Sequence, residues 1–181
     1  MKTLYLSIII SLTVNVTLQS QNLSAKLLRL KLFMLPETTF RFPCGDSIGH
    51  GYYVAQGFQN KWEHLGVDIS GIGYCNSDLG DTIYAIANGI VANNWPTSYA
   101  AIYHKYEGRI IKSMYLHCDT ILCSRGEFIK KGQAIATIGN IGTRCAHLHF
   151  EIAKDTSISM GGYGKPVGFY NPMLIIPHYK K

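Results

Sequence analysis

The run His147-Leu148-His149-Phe150-Glu151 places two histidines two residues apart, and His64-Leu65-Gly66-Val67-Asp68, well upstream, places a histidine and an aspartate four apart. Side chains alternate between the two faces of a β-strand, so His147 and His149 would share one face, roughly 6 to 7 Å apart at Cα. Leu148 and Phe150 would then point the other way, into a core. Histidine and carboxylate are the usual protein ligands of a catalytic zinc, and such sites commonly use three ligands and leave a position for water. A helix would also bring His64 and Asp68 to one face, but Gly66, Val67 and Ile69 disfavour it. An extended or bent segment keeps positions 64, 66 and 68 on one side, and Gly66 lets the backbone curve and a metal or substrate approach. Either pattern alone is a common coincidence; together they point to a single ion-binding pocket.

The elements that must position these residues read as strands. From about Phe40 onward, short β-rich runs at 82–87, 89–95, 100–104, 109–116, 133–138 and 147–153 are divided by Gly, Asn and Asp. No long amphipathic helix competes, and no repeat of solenoid type is present. The spacing predicts an all-β domain of hairpins closing into a sandwich or barrel-like arrangement, with turns at Gly132 and at Gly139-Asn140-Ile141-Gly142. A third histidine, His117, ends the run Tyr115-Leu116-His117, where alternation would put Tyr115 and His117 on one face. Ahead of this β region, residues 27–34 read as a short strand or helix ended near Pro36.

The order His-x-x-x-Asp, Tyr-x-His, Gly-rich turn, His-Leu-His-Phe-Glu resembles that of the lysostaphin and LytM-type zinc endopeptidases, which cut peptidoglycan. Lys131-Gly132-Gln133-Ala134-Ile135, Ile138-Gly139-Asn140-Ile141-Gly142 and Tyr170-Asn171-Pro172 also look like that family's connecting pattern. The likeness therefore runs over about residues 40 to 175. It implies an antiparallel β fold of barrel-sandwich hybrid type, with a central sheet and a substrate groove. It also implies one zinc ion (Zn2+) held by His64, Asp68 and His149, with His117 and His147 as catalytic histidines that are not ligands. Zinc lowers the pKa of bound water to about 7 and polarises a carbonyl, and two imidazoles beside it would stabilise the oxyanion and relay protons. Which of the two acts as base stays open. There is no His-Glu-x-x-His, so the glutamate base of that metalloprotease class is not on offer.

Neighbours of the pattern carry expectations of their own. Glu151 would face the side of His147 and His149, either orienting a ligand imidazole or sitting solvated or salt-bridged. Tyr115 would pack its ring in the sheet or hydrogen-bond substrate, and His104 reads as structural, while His50 and His178 lie outside the pattern. Cys118 follows His117 where the family commonly has leucine, and Cys145 stands two residues before His147 where proline or small residues are usual. If the last strand begins early, Cys145 would share the zinc face, as a competing thiolate, a disulfide or a buried thiol.

At 181 residues and 47% hydrophobic content, the chain has room for one domain with a sizeable core and a leader. Met1-Lys2 followed by the apolar run from Leu4 to Leu18 has the form of a secretory signal, and it is shorter than the roughly 20 residues of a spanning anchor. The expected organisation is a signal over 1–20, with its end possible as late as Ala25, a short segment over 21–39, a peptidase domain over 40–175 and a tail over 176–181. The five cysteines, Cys44, Cys75, Cys118, Cys123 and Cys145, lie beyond the leader, where an oxidising compartment permits disulfides. Cys118 and Cys123 are close enough to close a small loop, every pairing being open, and the absence of Cys-x-x-Cys argues against a structural zinc. The formal charge of +6 suits an anionic partner such as a bacterial cell wall.

These readings converge on an exported bacterial zinc metalloendopeptidase, secreted or periplasmic, acting on peptide bonds in peptidoglycan stem or cross-bridge peptides. The implied partner is peptidoglycan, with no nucleic acid and no membrane span in the mature chain. Two other readings of the same residues are a non-catalytic wall-binding or amidase-activating module and a zinc protease of glycine-rich proteins.

Overall fold

The computed structural model describes residues 26–28, 30–36, 39–45, 51–59, 63–95 and 98–177. The signal expected over 1–20, and His50 and His178, lie outside them. The chain divides into two units, residues 1–34 and 35–181. In the first, residues 26–28 and 30–33 are helical, so the apolar run before Pro36 takes the helical alternative.

Among the described residues, the second unit holds eleven strands: β1 (Tyr52–Gln56), β2 (Val67–Gly71), β3 (Thr82–Tyr84), β4 (Gly89–Trp95), β5 (Tyr99–Tyr106), β6 (Arg109–Leu116), β7 (Cys118–Ile121), β8 (Phe128–Ile129), β9 (Ala134–Ile138), β10 (Leu148–Ala153) and β11 (Phe169–Tyr170). The large sheet runs β1-β2-β10-β6-β5-β4-β8, with β11 also on β10, and the small sheet runs β3-β9-β7. Every pairing is antiparallel. The expected all-β fold is thus present, as two open sheets facing each other rather than a closed barrel. The β5–β6 hairpin turns on Glu107 and Gly108, at φ 49° and 70°. Two successive left-handed residues give the twist that matches flanking strands, which is why this pair of long strands stays in register.

Leu148, Phe150 and Ile152 of β10 enter the main core with Val67 and Ile69 of β2, Ile111 and Tyr115 of β6, and Ile135 and Ile138 of β9. Phe150 is fully buried there, which contributes on the order of 2 to 3 kcal/mol. The other face of the large sheet carries a smaller apolar cluster, including Leu65, Tyr99, Ala101, Met114 and Phe169, with Leu116 packed against it. The core face thus fixes the register that puts the polar residues of β2 and β10 on the opposite side.

Runs 89–95 and 109–116 form strands over those bounds, whereas run 82–87 leaves the ladder after Tyr84. There Ala85 N–H donates to Gln133 O and Ile86 O accepts from Arg41 N–H, so the backbone is satisfied by loops instead. Pairing lengthens run 100–104 to residues 99–106 and shortens runs 133–138 and 147–153 by one residue each. Strands β1, β7, β8 and β11 are too short or too irregular to stand out in the sequence.

Candidate functional site: three converging donors and two imidazoles

One row of the large sheet builds the site. Gln56 of β1 is opposite Asp68 of β2, Asp68 is opposite His149 of β10, His149 is opposite Leu116 of β6, and Leu116 is opposite Tyr99 of β5. Directly opposed residues on one face stand about 4.5 to 5.5 Å apart at Cβ, so the ladder itself brings Asp68 to His149. His64 enters from the bend before β2, held by a bridge to Tyr163.

His64 Nε2, Asp68 Oδ1 and His149 Nδ1 converge: 2.9 Å between the nitrogens, 3.2 Å from His64 to Asp68 and 2.8 Å from His149 to Asp68. The outer nitrogen of each ring is engaged. His64 Nδ1–H points to Gly57 O at 3.2 Å, and His149 Nε2–H to Glu151 Oε1 at 2.8 Å. Both inner nitrogens therefore offer lone pairs to a space that already holds a carboxylate oxygen. Three such atoms repel one another unless a cation sits among them, and two imidazoles with one carboxylate are a donor set that suits zinc. Without a metal, the cation is a proton. Burial opposes charge on His149, but the hydrogen bonds it donates to the carboxylates of Asp68 and Glu151 carry its pKa up to about 9. Burial likewise opposes charge on Asp68, yet hydrogen bonds from His149 and His64 hold its carboxyl well below the usual range.

Glu151 resolves in favour of orienting the histidine. It is fully buried, and it accepts from His149 and from the backbone amides of Gly161 and Gly162, which lowers its pKa although burial alone would raise it. Gly66 also answers to a packing need. A Cβ there would lie 2.5 Å from Phe150 O, 2.9 Å from Glu151 Cγ and 3.0 Å from His149 Nε2. Strand β10 passes directly against this glycine.

His117 and His147 stand across the pocket from these donors, with ring centroids 4.8 Å apart. His117 Nδ1–H donates to Ile141 O at 2.8 Å and His147 Nδ1–H to Cys145 O at 3.0 Å. Both rings thereby hold the tautomer that leaves Nε2 available, and His147 Nε2 is 3.7 Å from Asp68 Oδ1. Burial lowers the pKa of His117. Tyr115 does not share its face, contrary to strand alternation. His117 follows β6 at φ 63°, a left-handed turn that swings its ring out of the core, while Tyr115 stays fully buried with its hydroxyl bonded to Ile86 N–H and Ser113. Gly139 permits the turn, since a Cβ there would meet His117 O at 2.5 Å and Asp119 N at 2.4 Å.

Residues 63–165 match the profile of Peptidase family M23. The chain belongs to peptidase family M23. Among M23 relatives, the murein hydrolase activator NlpD of Escherichia coli (strain K12) is 33% identical over 119 residues, 65% of this chain and 28% of the activator. The peptidoglycan DD-endopeptidase ShyB of Vibrio cholerae is 36% identical over 93 residues, 49% of this chain and 20% of the endopeptidase. The M23 chain thus spans less than a third of either relative's length. Lysostaphin from Staphylococcus simulans shares the fold, with a TM-score of 0.52 at 20% identity over 68% of this chain and 48% of that one.

The two departures from the family pattern have separate outcomes. Cys145 forms a disulfide with Cys75, away from the converging donors, and Ala146 N–H donates to Asn76 Oδ1 beside it. Cys118 is not bridged to Cys123; both are buried thiols, as is Cys44. His104 is structural as expected, fully buried between Asn88 O and Ser113 Oγ. Two pocket residues had no signal in the sequence. Gln56 lines the site with a buried Nε2 amide that has no partner among the described residues, and Tyr163, in a Gly-Gly-Tyr-Gly loop, sets its ring at a tilt to that of His64, centroids 5.5 Å apart. Among the described residues, no helix is long and apolar enough to cross a membrane.

Proposed function

We propose that this chain is an exported zinc metalloendopeptidase that hydrolyses peptide bonds in the stem or cross-bridge peptides of peptidoglycan, with its peptidase domain over residues 40–175. The convergence of His64 Nε2, Asp68 Oδ1 and His149 Nδ1, facing two imidazoles of fixed tautomer, carries this reading. Zinc held by those three atoms would polarise a peptide carbonyl and bring the pKa of a bound water down to about 7. His117 and His147 then divide the proton work. One Nε2 would accept the proton of the attacking water and pass it to the leaving amine; the other ring would donate to the oxyanion from Nε2 in its doubly protonated form, since its Nδ1–H stays on a backbone carbonyl. Burial lowers the pKa of His117, which keeps it neutral and able to accept. Gln56, whose buried Nε2 has no partner among the described residues, lines the pocket and would supply a further donor to the substrate backbone on a side-chain rotation. Purified protein is expected to hold one zinc per chain by inductively coupled plasma mass spectrometry, and His149→Ala to hold none. A wild type that takes up no zinc would sink the proposal.

A second reading has an observation of its own, the 33% identity to a murein hydrolase activator. On that reading the groove binds a wall amidase or glycan without cleaving, and the chain stimulates an amidase while leaving sacculi intact by itself.

A further inference from the structure

A second cavity opens on the site face of the large sheet, lined by Tyr99, Ala101, Tyr103, Lys112, Arg125 and Met160 among others. It is joined to the histidine pocket by a third hollow that shares Tyr99 and Met160 with it and Leu116 and His117 with the histidine pocket. The three make one groove. The register relates its two ends: Leu116, Met114 and Lys112 follow one another along one face of β6, opposite Tyr99, Ala101 and Tyr103 of β5, with Met114 buried between the two lining residues. Lys112 lies four residues along β6 from Leu116, which is itself opposite His149. At about 3.3 Å per residue and about 4.8 Å between strands, it stands roughly 14 Å from the row of metal donors.

Lys112 is unusual for its setting. It is only 7% exposed, and its ammonium donates to Thr156 O and Ile158 O of the loop after β10. An ammonium has three N–H donors, and two are spent on neutral carbonyls. No carboxylate is ion-paired with it among the described residues. Burial opposes its charge, while Asp155 and Glu151 favour it from beyond ion-pair distance; a buried charge with no counter-ion in direct contact is costly, a cost that an anion bound in the cavity would offset. Arg125 adds a guanidinium to the same cavity, and that group matches a carboxylate in a two-point fork. Between the two ends, Tyr99 and Leu116 line the joining hollow and Ala101 the Lys112 cavity, none of them charged.

From this arrangement we infer that Lys112 and Arg125 form a subsite for the free carboxylate of a peptide, placed about four extended residues from the metal donors. The inference rests on the peptidase reading for the identity of the peptide, a wall stem peptide, which carries free carboxylates. Polar neighbours Tyr103 and Asn93 line the same cavity and face the carboxylate oxygens left after the two cations are engaged.

The test is binding of a soluble stem tetrapeptide with a free C-terminal carboxylate, its C-terminal amide and inorganic phosphate, each titrated into the zinc-loaded protein and followed by backbone amide chemical shifts. The free acid is expected to shift Lys112, Arg125 and Met160 and to bind at least tenfold more tightly than the amide. Arg125→Ala, at an exposed position, is expected to weaken the acid by about tenfold and keep the wild-type melting temperature; Lys112→Met, at a buried one, is expected to do the same if it folds. Equal binding of acid and amide, or acid binding unchanged in Arg125→Ala, would overturn the subsite. Phosphate binding as well as the acid would also overturn it, since a nonspecific cationic patch would do that. Cleavage of sacculi is read separately, so an inert protein that still discriminates acid from amide refutes the peptidase and keeps the subsite.

Discussion

At the scale of single residues, the proposed function assigns some imidazoles to holding an ion and others to moving protons. His149 has one nitrogen on Glu151 and the other toward His64 and Asp68, whereas His117 has one nitrogen on Ile141 O and the other open to the pocket. His117→Ala is therefore expected to keep its zinc, measured as metal per chain, while muropeptide release falls by about 100-fold or more. Loss of zinc in that variant would contradict its separate role. Gln56→Leu, which removes an amide with no partner among the described residues, is expected to lower turnover by about tenfold to 100-fold with zinc retained; unchanged turnover would show that Gln56 takes no part. The five histidine and aspartate positions were legible because their chemistry is carried by residue type and spacing. Gln56 and Tyr163 were not. Glutamine and tyrosine gain meaning only from the register of β1 on β2 and from a loop folded back on His64.

At the scale of elements, the donors depend on how closely β2 and β10 approach. Gly66→Ala would put a methyl against Phe150 O and Glu151 Cγ and push apart the strand pair that sets Asp68 opposite His149. Overpacking of this kind costs about 1 to 3 kcal/mol, and zinc affinity is expected to fall along with the melting temperature. A Gly66→Ala protein with wild-type zinc affinity would show that the strand spacing is not what positions the donors. The Cys75–Cys145 disulfide ties the loop after β2 to the segment leading into His147. Closing a loop of that size stabilises by roughly 4 kcal/mol in the chain-entropy picture, so Cys75→Ala/Cys145→Ala should melt several degrees lower. An unchanged melting temperature would mean the loop is held by other contacts. The disulfide could not be read from the sequence, because pairing is decided by which loops meet. Strands β4 and β6 were legible because apolar and turn residues mark both ends. His117 escaped the alternation rule at a single left-handed residue.

At the scale of the whole molecule, stability and charge come from different places. His104 is buried in the second unit, and desolvation pushes its pKa down to about 4, against the Asn88 carbonyl that favours the charged form. In the unfolded chain it titrates near 6.5, so between about pH 6.5 and 4 the unfolded state takes up a proton that the fold resists. The stability present above pH 6.5 is lost as pH falls toward 4, by about 3 kcal/mol for this one group. Denaturant melts of the metal-free protein should show that loss, and His104→Gln should flatten it. An identical pH slope in the variant would show that His104 does not drive it. The all-β class was legible from short runs divided by Gly, Asn and Asp. The division into one long and one short sheet was not, since it follows from pairings between strands far apart in the chain, such as β10 with both β2 and β6.

The central claim is that the three donors and two imidazoles form a working peptidase, and mass spectrometry of the soluble products from purified sacculi tests it most directly. The zinc-loaded wild type is expected to release fragments cut at a peptide bond of the stem or cross-bridge, and His149→Ala to release none. Sacculi left intact by the zinc-loaded wild type, or the same fragments from His149→Ala, would contradict it.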